Sequence, residues 1–130
     1  MTICEFYRSQ LVLIFNELEP GWSELETYDF GYQWTRQVNS YLETLRIVQL
    51  GDTHPFVMYT ITLPEDFKQT NIFDMAYQYK SQYELSLLLH HSKLQLSMSK
   101  NCSELDESMA GFLFRSRAEL FDIIDFSVYG

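Results

Sequence analysis

Basic residues are scarce in this sequence. Its 130 residues hold nine Lys and Arg against 18 Asp and Glu, a formal net charge of −9. A surface with that balance repels nucleic-acid phosphates and anionic membranes and attracts basic proteins, so neither direct nucleic-acid binding nor membrane binding is expected. Cysteine is nearly absent. Cys4 and Cys102 lie far apart with no CxxC spacing, which excludes a disulfide framework and fits two free thiols in a reducing, cytoplasmic setting. Long apolar runs are missing as well. Leu11 to Phe15 is the longest, with Leu87 to Leu89 a shorter one, both far short of the roughly 20 residues a membrane span needs. No positive stretch followed by an apolar run opens the chain, so no secretory signal is expected. The five glycines are scattered and form no G-x-G-x-x-G turn or P-loop, and no serine sits in a G-x-S-x-G elbow. No cofactor is implied.

Apolar material is plentiful. Hydrophobic residues make up 46% of the chain and aromatics 16%, enough for a packed core rather than a disordered chain. A chain of this length buries roughly 65–70% of its unfolded surface, and residues 1–130 read as a single globular domain. No internal repeat, low-complexity tract or linker divides it.

Read along the chain, Thr2 and Glu5 fit a capping box. Ile3, Phe6, Tyr7, Leu11, Ile14, Phe15 and Leu18 then recur near helical spacing, until Pro20-Gly21 ends the pattern. Val38, Tyr41, Leu42, Leu45 and Val48 supply an apolar face for a second helix over 35–50, stopped by Gly51. After Pro55, the segment FVMYTITL has the β-branched and aromatic content of a strand. Pro64 fits the first position of a helical turn, and residues 71–80 fit a helix weakly. From Gln82 the period changes to two: Tyr83, Leu85, Leu87 and Leu89 share one face, and Leu94, Leu96 and Met98 alternate likewise beyond His91-Ser92. That pattern predicts a β-hairpin near 82–100. Ser103 with Asp106, and Ser116 with Glu119, offer caps for C-terminal helices. The expected fold is a single α+β domain: two N-terminal helices, a small antiparallel sheet, and helices at the C-terminus.

Chemistry-bearing residues each have a plainer explanation. His90 and His91 are adjacent and His54 is remote in sequence, and strand neighbours point to opposite faces, so no metal site is expected. Cys4 would sit in a first helical turn, where the dipole favours a thiolate, but a buried structural cysteine is the commoner role. Asp122 with Asp125 suits a solvated helix face as well as acid–base chemistry. Arg115 and Arg117 suit an anion site, or neutralisation of Glu104, Asp106, Glu107 and Glu119 nearby. An enzyme is therefore not expected.

One stretch stands out. Residues 16–34, NELEPGWSELETYDFGYQW, interleave five carboxylates with five aromatic rings and hold no Lys or Arg. Tyr and Trp give large contact area at low entropic cost and anchor interfaces. Carboxylates around them speed encounter with a basic surface and pair with its cations. The candidate partner-binding residues are Glu17, Glu19, Trp22, Glu24, Glu26, Tyr28, Asp29, Tyr32 and Trp34, against the plainer reading of core rings and surface acids. This is the physics of an acidic inhibitor. The expected function is an immunity protein that neutralises a basic toxin, typically a nuclease, by covering its active or nucleic-acid-binding surface. A phage anti-defence protein presenting DNA-like charge is the alternative within that class. An oligomeric structural or assembly protein, with a hairpin edge pairing across a two-fold axis as a homodimer, is the alternative outside it.

Overall fold

The computed structural model describes residues 21–23, 26–28, 31–49, 55–67, 71–104 and 109–129. Six strands form one antiparallel sheet: β1 (Glu26–Tyr28), β2 (Gly31–Val38), β3 (Tyr41–Val48), β4 (Phe56–Thr62), β5 (Glu84–His90) and β6 (Lys93–Asn101). Their order across the sheet is β1-β2-β3-β4-β6-β5. Helix α1 (Ile72–Gln78) connects β4 to β5, a 3-10 turn follows β6 at Cys102–Glu104, and helix α2 (Met109–Tyr129) ends the described chain.

The core lies between one face of the sheet and the two helices. Trp34, Leu45, Ile47, Val57, Tyr59, Ile61, Leu94, Leu96 and Met98 come from alternate strand positions, as the period of two requires. Helix α2 answers them with Met109, Phe112, Leu113, Leu120, Ile123 and Ile124, and α1 with Ile72 and Ala76. Edge-to-face ring contacts fasten the layers: Tyr41 with Phe121 at 5.8 Å and Tyr83 with Phe112 at 5.0 Å. The opposite sheet face is polar at its centre. Thr44, Thr60, Thr62 and Ser97 are buried there, with the Thr60 and Ser97 hydroxyls 2.8 Å apart and Gln95 Nε2 donating to Thr62 Oγ1 at 3.3 Å.

The expected arrangement of helices is corrected. The second N-terminal helix does not exist: residues 31–48 are the β2–β3 hairpin, paired from Gly31↔Val48 to Val38↔Tyr41. Its turn is Asn39-Ser40, with Asn39 in the left-handed region at φ 54, where asparagine is tolerated. The helical spacing of Val38, Tyr41, Leu42, Leu45 and Val48 coincides with a strand pattern whose inward positions include the charged pair Arg36 and Glu43. Those charges hide the alternation, while the Tyr, Trp, Thr and Val content of the segment favours strand. The sheet is thus six strands wide rather than small. The first helix expected over Thr2 to Leu18 lies outside the described residues, as do Cys4 and His54. At the C-terminal end, α2 is one continuous helix with Ser116 buried inside it, not a second helix start.

Elsewhere pattern and structure coincide locally. β5 and β6 pair from Glu84↔Ser99 to His90↔Lys93. His91 and Ser92 both take positive φ, 49 and 64, as a two-residue turn matched to strand twist demands. Phe67 N–H donates to the Pro64 carbonyl at 3.1 Å, closing a single turn. The polypeptide has no helix among its described residues that is long and apolar enough to cross a membrane.

Candidate functional site

The most densely bonded polar cluster is built on Glu43. Its carboxylate enters from β3 into the layer between sheet and α2 and is almost fully buried. Cross-strand pairing sets Arg36 of β2 directly opposite. Arg36 Nε donates to Oε2 at 2.7 Å, and its terminal nitrogen reaches the same oxygen at 2.6 Å. From α2, Arg117 Nε donates to Oε1 at 2.9 Å. The Tyr59 hydroxyl of β4 donates to Oε1 as well. Four donors therefore fill two oxygens, close to what a carboxylate accepts. The guanidinium groups are further held by rings: Arg36 lies 5.0 Å from the Trp22 ring, and Arg117 lies 5.9 Å from the rings of Tyr59 and Phe114. Burial first, then the Glu43 charge and the hydrogen bond to it, push the Tyr59 phenol far above its ordinary value, with Arg117 opposing. Tyr59 therefore stays a donor. The partners of Glu43 are fixed, and its two oxygens already accept four bonds. The cluster is a clamp that ties three strands to the C-terminal helix.

Composition and spacing did not reveal this cluster. One signal was available: Arg36 and Glu43 stand equally far from Asn39-Ser40, as opposed residues of a hairpin must. Arg117 was expected to neutralise nearby acids, but it reaches Glu43, 74 residues away in sequence. Arg115 is exposed, as are Asp122 and Asp125. Burial first, then Glu119 and Asp122, raise the Tyr79 phenol, and Arg115 opposes them.

The acid–aromatic stretch divides between inside and outside. Trp34 is 3% exposed and belongs to the core, so its ring offers no surface to a partner. Tyr32 and Trp22 are half-buried and pack against the same core. Residues 21–23 run beside β2: Ser23 N–H donates to the Thr35 carbonyl at 2.7 Å, and Thr35 N–H to Ser23 Oγ at 3.0 Å. That pairing sets Trp22 over Arg36. Tyr28 closes β1 opposite Gly31. Glu26 is exposed on β1 and accepts a hydrogen bond from Gln33 Nε2 at 2.6 Å. Glu17, Glu19, Glu24 and Asp29 lie outside the described residues. The described rings Trp22, Tyr32 and Trp34 thus serve packing and the clamp, while Glu26 faces water.

Other candidates are placed as follows. His90 and His91 are both exposed, and their rings meet edge to face at 4.1 Å. They do not diverge, because His91 is a turn residue rather than a strand residue. Cys102 is a buried thiol outside any disulfide. Among the described residues, no group of three or more His, Cys, Asp or Glu side chains could hold a metal ion. An open groove of about 670 Å³ runs between α1 and β5, with Phe73, Ala76 and Tyr77 on one side and Tyr83, Leu85 and Leu87 on the other.

No family model matches the chain, and no curated protein or solved structure matches it.

Proposed function

We propose that this protein is an acidic binding module that holds a basic protein partner inactive in the cytoplasm, as an immunity protein holds its toxin, with a nuclease the favoured target. The charge partition carries the reading. Of 9 bases and 18 acids, two bases and one acid are consumed in the Glu43 clamp. Arg46 is likewise engaged, donating from Nε to Gln33 Oε1 at 3.1 Å. The remaining residues carry an even stronger acidic excess, seven bases against 17 acids. Such a surface steers a basic partner into encounter and pairs with its Arg and Lys. The saturated state of Glu43 supports a binding role over a catalytic one, since the most buried carboxylate among the described residues is spent on structure. In this reading the acids of residues 16–34 face the partner, and Trp22, Tyr32 and Trp34 brace the sheet beside them.

The test is capture of the partner from host lysate at low salt, followed by titration of the purified partner's activity against this protein. Stoichiometric loss of activity, relieved by salt and by Glu24→Lys with Glu26→Lys in a folded variant, supports the reading. An affinity that ignores both salt and charge reversal removes the acidic surface from the interface. Competition with duplex DNA separates the two targets within the class: a partner displaced from its DNA groove fits the anti-defence form, and a partner whose catalytic centre is covered fits the immunity form.

A further inference from the structure

We infer that β5 is a self-pairing edge, through which two copies of this chain join antiparallel across a two-fold axis into one continuous sheet. The inference is independent of the basic partner proposed above and uses a different surface.

The two edges of the sheet are built differently. β1 is three residues long and exposes an acid, Glu26, both of which discourage strand addition. β5 is seven residues long, ELSLLLH, regularly paired with β6 along its whole length. It contains no Lys, no Pro and no bulge, the usual protections of an edge. It also exposes apolar surface. On the helix side of the sheet Leu89 is 66% exposed, and Phe73 and Tyr77 of α1, 54% and 93% exposed, line a groove with Leu85 and Leu87; Leu88 is 57% exposed on the opposite face. Isolated exposed apolar residues are ordinary, but Leu89, Phe73 and Tyr77 lie on the helix side of an edge that no described strand covers, and Leu88 adds apolar surface on its other face.

The sequence of β5 complements itself. With the axis at Leu87, all seven strand residues pair. Glu84 lies opposite the partner's His90, Leu85 opposite the partner's Leu89, Ser86 opposite the partner's Leu88, and Leu87 opposite its own copy. Moving the axis by one position to either side sets a strand end beyond its partner and separates Glu84 from the partner's His90. In the centred register one face carries a row of leucines, and the other carries two symmetric carboxylate–imidazole pairs with two Ser86–Leu88 pairs between them. A two-fold axis perpendicular to the sheet keeps α1 of both copies on the leucine side. The two grooves then abut, and Phe73 and Tyr77 close over the joint.

Charge favours a second copy over a foreign basic strand. The chain as a whole is at −9, but residues 79–93, YKSQYELSLLLHHSK, hold one acid, Glu84, against Lys80 and Lys93. This edge is the part of an acidic protein where like charge does not oppose self-association.

Mass in solution decides the question, measured by light scattering on the full chain over a dilution series. The expected result is twice the 15.5 kDa chain mass, falling toward the monomer on dilution. Leu89→Lys, at an exposed position, leaves the circular dichroism spectrum unchanged and yields a monomer. Glu84→Lys alone weakens the dimer by removing the carboxylate that faces the partner's imidazole, and Glu84→Lys combined with His90→Glu restores it by exchanging the pair. A monomer at every concentration overturns the inference. So does a dimer that survives Leu89→Lys in a folded variant, or one that the exchanged pair fails to restore. A monomer that adds an extended foreign peptide along β5 also overturns it and assigns the edge to that peptide.

Discussion

Glu43 accepts hydrogen bonds from two guanidinium groups and a phenol at a position closed to water. A buried ion pair adds modestly to stability relative to a well-packed apolar replacement, but breaking it from one side is costly, because the remaining charges stay unpaired. Glu43→Ala should therefore lower unfolding free energy by about 3 kcal/mol in urea titration, near the low end of the range for such losses because both arginines keep some contact with water. A loss below about 1 kcal/mol would show that the two guanidinium groups escape to solvent. The Tyr59 hydroxyl gives a second, pH-dependent prediction. Its phenol is raised in the folded state, above the value near 10 that it has unfolded. Once pH passes that unfolded value, the unfolded chain releases a proton that the folded chain keeps. Stability is then fully present below pH 10 and declines above it, by up to about 1.4 kcal/mol per pH unit for one proton. Tyr59→Phe, stabilities being measured from pH 9 to pH 12, should show a shallower alkaline decline than the parent. An unchanged slope would mean that another tyrosine, Tyr79 first, dominates the alkaline limb.

At the level of elements, the β2–β3 hairpin decides the architecture, and its closest approach is at Gly31. A Cβ at that position would lie 1.9 Å from the Ile47 carbonyl oxygen and 3.1 Å from Val48 Cα. Both are backbone atoms that cannot swing aside, so the strands would have to part. Gly31→Ala should cost at least about 2 kcal/mol, read as a fall in the denaturation midpoint, and a neutral result would mean that the hairpin opens freely at that end. The same hairpin shows how far sequence alone reaches. Strands were legible where alternation was undisturbed, as in Leu85-Leu87-Leu89 and Leu94-Leu96-Met98, and where β-branched residues crowded together, as in FVMYTITL. They were illegible in 31–48, because a core position there is filled by Glu43 and answered by Arg36. A charge reads as outward until its partner is known, and the partner's other half, Arg117, comes from the far end of the chain. The acid–aromatic stretch was legible as a surface of mixed character, but its composition did not say which rings turn inward. Trp34 turns inward because it shares a sheet face with Leu45 and Ile47, a fact of register rather than of composition.

For the molecule as a whole, the clamp and the charge excess pull in one direction. Drawing two cations and one acid into the clamp leaves the remaining charge more acidic than the sequence total, so like charges repel within the folded chain, and a basic partner of the kind proposed above would be attracted. These two consequences respond to salt with opposite signs. Raising sodium chloride from about 0.01 M to about 0.15 M shortens the screening length from roughly 30 Å to roughly 8 Å. Repulsion among exposed carboxylates then weakens, and the urea midpoint of the protein alone should rise. Attraction to a basic partner weakens over the same range, so association should slow while dissociation changes less. Glu43→Ala should follow the parent's salt-dependent rise in parallel, because the pairing it removes is shielded from mobile ions. If the midpoint of the parent instead falls as salt is added, the exposed acids are already paired with the remaining bases. The surface would then have no free negative charge with which to steer a partner, and the binding role would have to rest on the apolar edge at β5.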